Sequence, residues 1–228
     1  MNLLLLLSLL PGELPLVESK TFPQPTQQKA LLATVRIVNT TKNQDGTGVI
    51  LRQNGAFVYV LTAGHHVEKG DALRIKTYSD TSYPNPSLDL GSAEVLEQSL
   101  VPDLAVLRVV SKDKILASLP ICPLRQAPEG KKIPALAVGC PRGEAPALLL
   151  DTLSGKRLLK KPGTDSPSRF WQAEKDIVAG RSGGPLVDRQ GRLIGIASGS
   201  GDGRGYYTHL EEIHDFMRGK GLRWLLDP

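Results

Sequence analysis

The feature that most constrains this chain's fold is a regular alternation of short apolar runs with turn signals. Apolar runs at 31–38, 48–51, 57–61, 73–75, 93–96 and 104–110 precede a second series at 134–138, 147–150, 170–173, 185–187, 193–197 and 206–207. Turn-rich stretches such as 43–46, Asn54-Gly55 and 79–86 separate them. Asn-Gly between two such runs is a strong hairpin signal, because the tight turn needs positive φ at both central residues. The 23 glycines and 17 prolines favour many short strands over long helices. Evenly spaced short strands of this kind predict an all-β sandwich or barrel. Only the C-terminus reads as helix, with Leu210, Ile213, Phe216 and Met217 on one face at helical spacing. There is no internal repeat and no second module.

Composition removes several function classes. With 40% hydrophobic and 22% charged residues, the chain is an ordinary globular protein. The net charge of +5 invites an anionic partner, but no basic stretch is interleaved with aromatics. Lys156, Arg157, Lys160 and Lys161 read as a solvated loop, so no nucleic-acid partner is expected. The apolar run 3–10, too short to span a bilayer, suits the core of a signal peptide, with Val17 and Ser19 before a cut. On that reading 1–19 is an export signal, the polar, Pro-containing stretch 20–30 is a linker, and the protein is periplasmic or secreted without a stable membrane span. Cys122 and Cys140 are too few for a disulfide scaffold; they either pair in an exported protein or remain two small buried hydrophobes. His65-His66 and the pair His209 and His214 provide no ligand set with zinc spacing, so neither a metal nor an organic cofactor is expected.

Three segments carry chemistry. Val60-Leu61-Thr62-Ala63-Gly64-His65 is a strand that ends in small residues and then a histidine, a rigid mount for a general base. Asp103-Leu104-Ala105-Val106-Leu107 places an aspartate at the start of an apolar strand, either as a turn residue or as the buried carboxylate that orients an imidazole. Gly180-Arg181-Ser182-Gly183-Gly184-Pro185 is the most specific. Gly180 allows its own N–H and that of Ser182 to converge on a developing oxyanion, while Gly183 and Gly184 leave room for a substrate chain. A phosphate-binding loop is excluded because no Lys-Ser/Thr follows and the next element is a strand.

Taken in order, Thr62-Ala63-Gly64-His65, Asp103-Leu104-Ala105-Val106-Leu107 and the Ser182 segment resemble the trypsin/chymotrypsin superfamily, most closely the HtrA (Deg) type of bacterial protease domain. Gly46-Thr47-Gly48-Val49-Ile50, Ala93-Glu94-Val95, Gly139-Cys140-Pro141 and Gly191-Arg192-Leu193-Ile194 resemble further segments of that domain. The resemblance runs from Leu31 to His209, and the order His, Asp, Ser is that of this superfamily.

The resemblance implies two antiparallel six-stranded barrels, about 31–118 and 119–209, with a C-terminal helix at about 210–226 and a cleft between the barrels. It implies a serine endopeptidase acting on polypeptides through His65, Asp103 and Ser182, with Gly180 and Ser182 as oxyanion donors. Ser198, Gly199 and Ser200 take the place of residues that line the substrate cleft. The alternative is a protease-fold binding module that keeps its triad without turnover. Departures are also present. Arg181 stands where HtrA proteases usually carry Asn, Ala173-Glu174 replaces a Thr-Asp pair, and no PDZ domain follows. Asp176 lies six residues before Ser182, where trypsin reads basic side chains, but the surrounding loops differ and HtrA domains do not use that position in this way. Arg181 is expected at the cleft rim, solvated or paired with a carboxylate. It cannot receive a freshly cut N-terminal ammonium, since two cations would be buried together.

Overall fold

A computed structural model describes residues 13–115 and 117–227. The apolar run 3–10 lies outside the described residues. Six strands form a first closed barrel: β1 (Thr34–Asn39), β2 (Gln44–Asn54), β3 (Phe57–Thr62), β4 (Leu73–Thr77), β5 (Leu88–Ser99) and β6 (Leu104–Val110). They are ordered β1-β2-β3-β6-β5-β4, with β4 pairing back to β1. A second closed barrel contains β7 (Ile133–Gly139), β8 (Ala147–Leu159), β9 (Ser168–Ala173), β10 (Pro185–Val187), β11 (Leu193–Gly201) and β12 (Arg204–His209), ordered β10-β11-β12-β9-β8-β7. All neighbouring strands are antiparallel, as expected.

Two barrels pressed together explain why β3 over 58–61 and β6 over 104–107 are continuously apolar rather than alternating. Successive side chains on a strand point to opposite faces. Val58 and Val60 pack inside the first barrel with Val35, Ile37 and Leu107. Tyr59 and Leu61 turn outward and join Leu136, Val138, Ile194 and Ile196 of the second barrel. Leu104 and Val106 do the same from β6. The two-sided burial hides both faces from water and fixes the register, since a slip by one residue would exchange the two sets.

Each apolar run of the sequence lies on a strand, but three boundaries differ. The segment read as linker contains helix α1 (Gln24–Leu32), and β1 starts at Thr34 rather than in the run's first residues. Tertiary contacts hold this helix: Ala30 and Leu31 are fully buried, and Gln27 donates to the carbonyls of Val17 and Phe22. Its polar sequence gave no periodic signal. Strand β8 runs on through Lys156 and Arg157, which therefore stand on a strand rather than in a loop. The glycine-rich stretch after Ser198 is a hairpin, turned by Asp202 and Gly203 at φ 54° and 69° between β11 and β12. The C-terminal helix appears as α2 (Leu210–Gly219), burying the four apolar residues expected but stopping short of 226, with a separate 3-10 turn at Arg223–Leu225. Among the described residues no helix is long and apolar enough to cross a membrane.

Candidate active site

Strand β3 ends at Thr62, and a single 3-10 turn, Gly64–His66, carries the histidines out of the barrel. Gly64 is required by space: a Cβ there would lie 2.8 Å from the Ser99 carbonyl oxygen and 3.1 Å from the Leu104 nitrogen. This close approach brings His65 against the turn before β6. Asp103 sits in that turn with φ 57°, a left-handed conformation that Asp tolerates better than most residues. Its side chain is fully buried while that of His65 is 39% exposed. Nδ1 of His65 lies 2.9 Å from both carboxylate oxygens, and the His65 backbone N–H donates to Oδ1 at 2.9 Å. The pair thus fixes the ring and leaves its other nitrogen facing outward.

Burial alone would push the Asp103 carboxyl up, but the hydrogen bonds and charges of His65 and Lys161 outweigh it and hold it well below the usual carboxylate range. His66 stacks on His65 with ring centroids 4.4 Å apart. Burial, reinforced by His65, lowers its pKa to about 4, so it is neutral at ordinary pH.

Ser182 comes from the other barrel, on the turn into β10. Its carbonyl accepts from the Thr47 N–H at 2.9 Å, and the neighbouring Gly183 N–H donates to Ala197 at 2.7 Å. Gly183 has φ 87°, and a Cβ there would lie 2.0 Å from the Thr47 carbonyl oxygen and 3.0 Å from the Ala63 nitrogen. Ser182 is therefore pinned beside the strand end that leads to His65. Among the described residues its hydroxyl makes no hydrogen bond, and neither do the N–H groups of Gly180 and Ser182. Gly180 has φ 88°, and a Cβ would meet the Cys140 carbonyl oxygen at 2.4 Å, so no other residue fits there without a shift. Thr47 holds this loop from the first barrel: its hydroxyl donates to the Gly180 carbonyl at 2.6 Å and accepts from the Cys140 N–H at 2.9 Å.

The structure also ties Ser198 to the Asp103 carboxylate. Its side chain is buried and its hydroxyl donates to Asp103 Oδ2. Ser198, Gly199 and Ser200 together line a pocket of about 200 Å³, with Leu159, Lys161, Pro162, Phe170 and Tyr206 among its other walls. Two residues went unread in the sequence. Lys161, expected in a solvated loop, reaches Asp103. The Thr47 hydroxyl, within a segment noted only for its glycines and apolar residues, holds the loop of Gly180. Neither contact has a local sequence signal, because each joins residues far apart in the chain.

One further expectation is corrected, and one open alternative is decided. Arg181 is half-buried, and among the described residues it pairs with no carboxylate. It packs on Gly139, donates to the Ala147 carbonyl at 3.0 Å and has its pKa lowered by burial. Cys122 and Cys140 are free thiols, each buried, and burial raises them to about 11 and about 12. Asp176 is exposed and bonds only to the adjacent N–H of Ile177. Among the described residues no cluster of potential metal ligands occurs.

Comparison with known proteins places this geometry. The family model described as trypsin-like peptidase domain matches residues 46–196. Serine protease Do-like HtrA of Bacillus subtilis is 25% identical over 163 residues, 69% of this chain and 34% of that protein. Protease Do-like 1, chloroplastic, of Arabidopsis thaliana is 28% identical over 176 residues, covering 74% of this chain and 37% of the relative. Serine endoprotease DegS of Haemophilus influenzae is 29% identical over 163 residues, 68% of this chain and 42% of that protein. The chain thus spans well under half the length of these relatives. Among solved structures, the active form of the Rv3671c protease from M. tuberculosis superimposes with a TM-score of 0.70 at 18% identity, covering 92% of this chain and 94% of the other. At that identity the likeness speaks for the fold, two barrels of the chymotrypsin type. The chain belongs to the family described as trypsin-like peptidase domain, and the relatives it resembles at 25–29% identity are proteases of the HtrA and DegS kind.

Proposed function

We propose that the protein is a serine endopeptidase that cleaves polypeptides through Ser182, His65 and Asp103. The observation that carries this reading is the fully buried Asp103 carboxylate bound at 2.9 Å to His65 Nδ1, beside a loop that presents Ser182 and two free N–H groups. Asp103 keeps the Nδ1–H tautomer, leaving Nε2 to act as base. Nε2 takes the Ser182 proton as Oγ attacks the peptide carbonyl, and the oxyanion rests on the N–H groups of Gly180 and Ser182. The imidazolium then protonates the leaving amine, and water, activated by the same base, hydrolyses the acyl-enzyme. The unpaired Ser182 hydroxyl fits an enzyme without substrate, in which such hydrogen bonds are commonly long. No step needs a metal or cofactor.

The protease domain on this reading begins at about Leu31, and export by a signal ending near Ser19 completes it. Its test is a fluorophosphonate, which labels only an activated serine. Wild-type protein is expected to label, and Ser182→Ala to stay unlabelled. In peptide hydrolysis, Ser182→Ala or His65→Ala lowers kcat by about 10⁶ and Asp103→Asn by about 10⁴, with double variants scarcely worse than singles. A wild-type protein that does not label, or an active Ser182→Ala protein, would overturn the assignment; the first outcome describes a silent protease-fold module.

A further inference from the structure

The Asp103 carboxylate has a partner that the Ser-His-Asp arrangement does not require. Lys161, just beyond the end of β8, places Nζ 2.5 Å from Asp103 Oδ2 and 3.0 Å from Ser198 Oγ. Its side chain is 27% exposed while that of Asp103 is completely buried. Asp103 therefore faces two groups that carry or acquire positive charge: the His65 imidazole on one side and a permanent ammonium on the other. We infer that Lys161 is a positioning residue that acts through Asp103, offsetting the carboxylate's charge and so weakening its hold on a protonated His65.

The charges decide the direction. In the resting site a neutral imidazole, a carboxylate and an ammonium sum to zero. When His65 accepts a proton the sum becomes +1, whereas without Lys161 it would rise only from −1 to zero. A cation near a histidine disfavours its protonated form, and Lys161 acts on His65 from across the carboxylate that both of them contact. The contact is partly buried, so salt screens it less than a surface pair. Other groups around the imidazole do not cancel the effect. His66, from the same turn, is neutral at ordinary pH; Ser198, from β11, is a neutral donor to the same oxygen; and the Lys42 ammonium near His66 is paired with Glu68 and Asp71. Lys161 thus keeps His65 unprotonated, and available as a base, to lower pH than Asp103 and Ser198 alone would allow.

This inference rests on the triad proposed above, and a reagent that needs no known substrate can test it. The second-order rate of fluorophosphonate labelling is followed against pH for the full chain, for Lys161→Met, Lys161→Gln and Lys161→Arg, with thermal midpoints measured alongside. The rate rises as the base loses its proton. The Met and Gln variants are expected to move that rise to higher pH by about one unit, making labelling on its lower flank up to about tenfold slower. Arg is expected to keep the wild-type profile. The glutamine variant decides the matter if methionine prevents folding, since the site is open enough to accept a polar head. A rise that stays in place or moves to lower pH in the neutral variants overturns the inference, as does an Arg variant that behaves like Met. If wild-type protein labels and only the profile fails to move, the triad stands and the role of Lys161 falls. If wild-type protein does not label at all, both fall.

Discussion

Thr47 holds the loop of Gly180 through its hydroxyl and the Ser182 carbonyl through its N–H. Thr47→Val keeps the shape but leaves the Gly180 carbonyl and the buried Cys140 N–H without the Thr47 hydroxyl. A buried group that loses its partner costs about 1–3 kcal/mol. Loosening the peptide that aims the Gly180 N–H is expected to lower kcat by about 10²-fold, the lower end of what losing an oxyanion donor costs. KM should change far less, and Thr47→Ser should restore most of the rate. Steady-state kinetics on one peptide substrate checks this; equal kcat in wild type and Thr47→Val would show that the loop holds itself. At the same scale the glycine pattern was legible in advance for Gly180 and Gly183, because their neighbourhood already required an exposed serine. Lys161 was not, since a lysine's sequence context does not tell which distant carboxylate it meets.

Among the elements, the turns between strands do the positioning, and two glycines illustrate the difference between space that is required and space that is spare. Gly183, with φ 87° and the Thr47 carbonyl in the way, cannot accept a side chain without moving one barrel against the other. Gly183→Ala should lose at least about 3 kcal/mol of stability through strain and overpacking. Gly199, on β11, has nothing within 4 Å of a hypothetical Cβ and ordinary φ. Gly199→Ala should fold with a urea midpoint close to wild type, any effect being on substrate. Comparable urea midpoints for the two variants would contradict this reading. Strand positions were readable because apolar runs bounded by turn residues have few other uses, and α2 was readable from its one-sided apolar face. Helix α1 escaped notice because its sequence is polar and its stability comes from what it packs against, chiefly through Ala30 and Leu31.

The whole molecule should be acid-sensitive, and the sign follows from its buried histidines. Burial lowers His66 and His209 to about 4, and His214 is lowered as well. An unfolded chain would protonate all three near pH 6.5. Below that pH the unfolded state binds more protons than the folded one, so stability falls as pH drops from about 6.5 toward 4. Asp103 adds a later loss: its depressed carboxyl stabilises the fold above the ordinary carboxylate range and ceases to do so once acid reaches its folded value. A decrease of about 2–5 kcal/mol between pH 7.5 and 4.5 is expected, read from urea unfolding at the two values. Identical unfolding free energies would mean the histidines titrate normally.

The sequence by itself determined the strands, the order His, Asp, Ser and the glycines around Ser182. These depend on period-2 burial and on backbone angles, both of which act over a few residues. Tertiary structure alone decided which side chains share the Asp103 carboxylate, that Arg181 turns back onto Gly139 and Ala147, and that the two thiols stay apart. Each of these depends on how segments far apart in the chain meet, within the second barrel or where it closes against the first, and distance along a chain carries no record of that approach.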